Sequence, residues 1–196
     1  MDAPRMDNQQ MPMIPPHSTD AERSVLGALL QDSAALSAAV ESLTGDDFYV
    51  PAHKEIFDAA RQLSLSNMAV DLVTMDAELS RRGTLPGIGG IEYLIELTQF
   101  VPTTANVKYY IRIVSEKATL RRLIQAAGDI SHAAYAQEQE LPEVLGLSEK
   151  LIFDIVMQRA GGDAVVMSAF EMNRVCEVYN TQHALQHLKA GKIVFF

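Results

Sequence analysis

Residues 103–160, TTANVKYYIRIVSEKATLRRLIQAAGDISHAAYAQEQELPEVLGLSEKLIFDIVMQRA, decide the architecture. Val107, Tyr110, Val114, Leu120, Ile124, Ala127, Ile130 and Ala134 recur at helical spacing and predict one long helix from about Ala105 to Tyr135. Gln137 to Glu140 is a polar turn, and Leu141-Pro142 opens a second helix carrying Val144, Leu145, Leu151, Ile152, Ile155 and Val156. A short polar turn between two long apolar-faced segments predicts an antiparallel helical hairpin. Ile113, Val114, Ile124, Leu151, Ile152 and Ile155 offer more apolar face than two helices can hide from each other. With Lys117 and Arg121 they form a candidate oligomer interface.

Upstream, Val101-Pro102-Thr103-Thr104 breaks the chain, and shorter helical patterns fill residues 18–98. Thr19-Asp20-Ala21-Glu22 reads as a capping box, followed by Val25, Leu26, Leu29 and Leu30 on one face. Gly27 inside that helix calls for another element packed close to the backbone. A second helix is expected from Ala34 to Leu43, then a turn at Thr44 to Asp47 with Phe48 and Tyr49 as its anchors. Pro51 suits a first helical position, and His53, Ile56, Phe57, Ala60 and Leu63 follow as a stripe. Asp71 can cap a helix whose inner face is Leu72, Met75 and Leu79. Gly83 to Gly90 is a connection, and Ile91, Leu94, Ile95 and Leu97 lie on one more helix. Leu26, Leu29, Phe48, Ile56, Phe57, Leu72, Leu94 and Leu97 are the expected core. The expected fold is all-α: a disordered arm over 1–17, a compact helical head over 18–98 and a long antiparallel hairpin over 103–160. Residues 161–196 make an atypical C-terminal tail. Gly161-Gly162 ends the last strong helix, and Lys192 to Phe196 has strand propensity but no evident partner strand in a helix-patterned chain.

The chemistry-bearing residues are sparse. A net charge of -9 over 196 residues argues against a surface that clamps nucleic acid by itself, so direct DNA binding is expected to be weak or absent. The single cysteine, Cys176, excludes an intrachain disulfide. No secretory pattern and no apolar run of membrane-spanning length is visible, which gives an expectation of a cytoplasmic protein without a membrane partner. Phosphate loop, G-x-S-x-G elbow, HExxH helix and EF-hand patterns are all missing. Asp129 and His132, and separately His183 and His187, stand one helical turn apart, but a metal site needs further ligands. No catalytic, cofactor-binding or metal-ligating residue is therefore assigned, and the chain is not expected to be an enzyme. Arg112, Lys117 and Arg121, beside Glu116, keep two readings: a solvated helix face, or a contact for an acidic partner or nucleic acid.

The order of several short motifs resembles a known family. Pro15-Pro16-His17-Ser18-Thr19-Asp20-Ala21-Glu22-Arg23-Ser24-Val25-Leu26-Gly27-Ala28-Leu29-Leu30 is similar to the opening motif of the N-terminal domain of bacterial replicative DNA helicases of the DnaB type. Asp47-Phe48-Tyr49 with His53 and Ile56-Phe57 resembles the next, and Val70-Asp71-Leu72-Val73-Thr74 and Gly89-Gly90-Ile91-Glu92-Tyr93-Leu94 resemble the third and fourth. Pro102-Thr103-Thr104-Ala105-Asn106-Val107, Tyr109, Ile113-Val114, Lys117 and Arg121-Arg122-Leu123-Ile124 resemble the start of the family's hairpin. The resemblance implies a role in DNA replication, as a collar of paired domains that assembles as a dimer or hexamer. It also implies docking of primase and, in some lineages, of a helicase loader. ATP and Mg belong to the family's motor domain, whose motifs this chain lacks. The alternative is a stand-alone helical adaptor or inhibitor of a helicase ring. A shorter resemblance, through Glu171-Met172, Val175-Cys176-Glu177, Tyr179, Ala184, His187-Leu188 and Gly191 to Phe195, is to a stretch of bacterial uridylate kinase. It implies a hybrid or truncated reading frame.

Overall fold

Helix α1 (Thr19–Leu29) is the pillar of the head in a computed structural model that describes residues 14–101, 103–137, 140–159, 164–168, 177–178, 185–187, 189 and 193–195. Its cap lies one residue earlier than the sequence suggests. Ser18, in extended backbone, accepts from the amide of Ala21 at 3.4 Å, and the Thr19–Glu22 box does not form. The reason lies in Glu22, whose carboxylate turns into the head and is used there. Val25, Leu26 and Ala28 are fully buried on the same helix.

Four more helices build the head, and those that contact α1 directly are the first, second and fourth of them. Helix α2 (Ser33–Ser42) starts on Asp32, which accepts from the amide of Ala34 at 2.8 Å. Helix α3 (Pro51–Leu65) begins with proline at the first turn, where a missing N–H costs nothing. Helix α4 (Leu72–Arg82) is capped by Asp71, which accepts from the amides of Val73 and Thr74 at 3.0 and 2.9 Å. Gly83, at a φ of +73°, ends it in the left-handed conformation that favours glycine. A short 3-10 turn at Leu85–Ile88 leads into α5 (Gly90–Phe100). Seven of the eight expected core residues are buried in one cluster, and Leu72 is half-buried against it.

Gly27 is explained by α5. A Cβ at this position would collide with the carbonyl oxygen of Leu97 and sit 2.9 Å from a methyl of Val101. Gln31 reinforces the crossing by donating to the carbonyls of Gly27 and Thr98 at 3.0 and 2.8 Å. Gly27→Ala is therefore expected to destabilise the head by about 1–3 kcal/mol, the usual cost of overpacking, although alanine is the better helix former. A denaturant melt of the variant reads this directly, and an unchanged or higher midpoint would contradict it.

Helix α6 (Val107–Ala136) has 30 residues and belongs to both parts of the fold. Val107, Ile111 and Val114 complete the head core, after which the helix leaves the head and pairs with α7 (Leu141–Arg159). Gln137, at a φ of +52°, begins the turn between them. The head and hairpin are all-α, as expected.

The tail differs from its sequence reading. Strands β1 (Ala164–Ser168), β2 (Glu177–Val178) and β3 (Ile193–Phe195) form a parallel sheet in the order β2-β1-β3. Val165 stands opposite Val194, and Met167 opposite Glu177. The terminal strand thus has a partner, which local propensity could not reveal because the pairing spans about thirty residues of chain. Gly161, Gly162 and Cys176 lie outside the described residues. Of the arm expected over 1–17, Pro16 and His17 are docked on Arg121 and Tyr49, Ile14 and Pro15 are exposed, and residues 1–13 lie outside the described part.

Candidate functional site

Two regions carry the residues singled out for function: the faces of the hairpin, and the junction where α6 leaves the head. Ile124 is 58% exposed on α6 and Ile152 44% exposed on α7, so both present apolar surface to solvent. Leu151, Ile113 and Lys117 are half-buried, with Ile113 packed against the head core. Val114 and Ile155 are buried within the chain itself and are not free to meet a partner. Other large apolar residues of the two helices are exposed instead. Leu120 and Leu123 on α6 are exposed, as are Leu141, Leu145 and Val156 on α7. Leu141, Leu145, Ile152 and Val156 are separated by four, seven and four residues, which places them on one stripe of α7. That heptad-like spacing was the signal available in the sequence.

Arg121, named for the candidate interface, is engaged within the chain. Its guanidinium donates to the carbonyl of Pro16 at 2.8 Å and to the carbonyl of Asp47 at 2.7 Å. Its carbon lies 5.8 Å from the centre of the Tyr49 ring, and Tyr49 stacks on His17 with centroids 4.1 Å apart. Burial pushes the Arg121 pKa down, while the nearby carboxylates of Glu22 and Asp47 act in the opposite sense. An arginine stays charged under such a shift. Arg122 pairs with the buried carboxylate of Asp47, which also accepts from the amide of Thr44 at 2.7 Å. Both arginines are thus engaged inside the chain, whereas Arg112 is exposed, beside Glu116 at 3.8 Å.

The junction rests on a buried polar chain that the sequence did not disclose. Glu22 of α1 accepts from His53 Nδ1 at 2.7 Å and from the amides of Tyr49 and Val50 at 2.8 and 3.3 Å. His53 Nε2 meets the Tyr93 hydroxyl at 2.6 Å, so α1, α3 and α5 are tied through one imidazole. His53 is wholly buried and Glu22 nearly so. Burial works to raise the Glu22 pKa, but the hydrogen bonds from His53 and the two amides outweigh it and hold the carboxyl below its ordinary value. The arrangement looks like a proton relay that runs from the buried Glu22 and His53 to the half-buried Tyr93. It orients Tyr49, and through Tyr49 the contacts of Arg121.

Asp129 and His132 are exposed on α6. Among the described residues no group of three His, Cys, Asp or Glu side chains could hold a metal ion, and His183 lies outside them. No described helix is long and apolar enough to cross a membrane.

Known proteins share this arrangement. Residues 14–116 match the family model described as the DnaB-like helicase N terminal domain. The Replicative DNA helicase DnaB of Geobacillus stearothermophilus is 45% identical over 149 residues, a match that takes in 76% of this chain and 33% of that protein. The chain thus spans about a third of the length of this relative. The crystal structure of the N-terminal domain of DnaB helicase from Mycobacterium tuberculosis is similar at 42% identity and a TM-score of 0.69, covering 72% of this chain and 99% of that one. A structure of a DnaB-like replicative helicase, described with its interactions with primase, is similar at 25% identity and a TM-score of 0.60, covering 70% of this chain and 31% of that one. Head, hairpin and motif order agree with these matches, and the chain belongs to the DnaB-like helicase N-terminal domain family.

Proposed function

We propose that this chain acts in DNA replication as the collar part of a replicative helicase, working by self-assembly and by docking primase rather than by turning over ATP. The observation that carries this reading is the exposed apolar stripe on a hairpin whose whole fold matches an isolated helicase N-terminal domain. Leu120 and Ile124 on α6, with Leu145, Ile152 and Val156 on α7, are too many large apolar side chains for a lone hairpin to leave in water. A second copy of the hairpin covers such a stripe in the manner of a helical bundle. The likeness to a helicase described with primase supports primase as the partner of the assembled collar. Docking of a loader belongs to the same reading. A negative net charge supports weak direct binding of DNA.

Sedimentation and primase titration test the proposal together. The parent chain is expected to sediment as a dimer or larger at tens of micromolar. Ile124→Asp places a charge in the desolvated interface and is expected to weaken self-association by about tenfold or more. Titration with the helicase-binding domain of a bacterial primase is expected to give saturable binding to the parent and weaker binding to the variant. A monomeric parent that also ignores primase would overturn the collar reading and favour a stand-alone adaptor.

A further inference from the structure

The junction holds a set of contacts apart from the exposed stripe of the hairpin. Pro16 lies against the base of the hairpin, 105 residues before its partner Arg121, and His17 lies on Tyr49 of the head. Pro16 offers its carbonyl to Arg121 at 2.8 Å, and His17 closes on Pro15, donating from Nδ1 to its carbonyl at 2.8 Å. The His17 ring lies nearly parallel to Tyr49, at an interplanar angle of 14°. Tyr49 is itself held by the bond from its amide to Glu22. A Pro-Pro segment is stiff and already extended, so docking it costs little conformational entropy. The long arginine side chain costs more to fix, and it is fixed here by two carbonyls from separate segments.

We propose that Pro15-Pro16-His17 is a strap and Arg121 its buckle, so that engagement of the strap tightens the hold of α6 on the segment from Asp47 to Val50, beside the ion pair of Arg122 with Asp47. Arg121 is a positioning residue in this scheme. Only a planar fork reaches the carbonyls of Pro16 and Asp47 at once, and a lysine ammonium offers a point charge without that geometry. Tyr49 supplies the platform, and the buried Glu22 and His53 keep the platform in place.

Hydrogen exchange on the full chain, followed by mass spectrometry, tests the strap. Arg121→Gln and Arg121→Lys are each expected to speed exchange of the amides of residues 47–50 and 117–123 by about tenfold, the worth of one lost charge-assisted bond. Residues 56–63 of α3 are expected to keep their parental protection, because the head core is untouched. His17→Phe retains the stacking ring and is expected to match the parent, while His17→Ala loosens the same two stretches. Parental protection at both stretches in Arg121→Gln overturns the proposal. So does an equal loss across residues 56–63, which would make Arg121 a support of the whole head. Full rescue by Arg121→Lys would overturn the role of the fork.

Discussion

Phe57→Ala is expected to lower the stability of the head by about 3–5 kcal/mol, the range for emptying a large aromatic site. Phe57 is completely buried on α3, with its ring centroid 4.9 Å from that of Phe48 at a tilt of 34°. Phe48 anchors the segment just after the 3-10 turn at Gly45–Asp47, so the same cavity also loosens the stretch that carries Tyr49. Denaturant melts of parent and variant at one fixed protein concentration measure the loss, because self-association would otherwise add to the apparent stability. A loss under about 1 kcal/mol would place Phe57 outside the cooperative core.

Helical spacing made the head legible because its apolar residues contact the core from single faces. The stripe from His53 to Leu63 maps directly onto the buried face of α3, and Asp71 and Pro51 act at the helix starts where their chemistry suits them. Gly27 was legible for the same reason: a glycine inside a strong helix pattern has few causes, and close approach of Leu97 is the one found. The Thr19 cap failed because capping boxes are read locally, whereas Glu22 is claimed by groups 27 to 31 residues away. His53 illustrates the same limit from the other side. Its place on an apolar stripe is visible in the sequence, but its partners come from α1 and α5, and no spacing rule connects them.

The exposure of the candidate interface residues was only half legible, for a geometric reason. A long helix that serves head and hairpin in turn shows one continuous periodicity, yet the face it buries changes along its length. Val114 falls on the part of α6 that completes the head, and Ile124 on the part that has left it. Arg121 sits between them at the change of environment, so its charge suggested a surface while its contacts made it a brace. The tail shows the opposite failure: strand propensity was legible at Ile193 to Phe195, but parallel pairing is a long-range event and leaves no local mark.

Glu22→Ala is expected to be as damaging as the loss of Phe57, about 3–5 kcal/mol, because it leaves a buried partner uncompensated rather than merely removing a contact. The imidazole of His53 loses its Nδ1 acceptor, and the amides of Tyr49 and Val50 lose theirs, in a place water does not reach freely. Acid dependence supplies a second signature. The carboxyl titrates in the folded chain below its ordinary value of 4.5, so the folded state prefers the charged form. Its contribution is complete above pH 4.5 and is lost as pH falls from there through the lower folded value. Glu22→Gln keeps the shape and one acceptor oxygen but cannot titrate. It is expected to cost less than Glu22→Ala at neutral pH and to show a flatter fall in stability below pH 4.5 than the parent. Parallel acid limbs in the parent and Glu22→Gln would show that Glu22 titrates alike in the folded and unfolded chain, and that the bonds from His53 and the two amides do not favour its charged form.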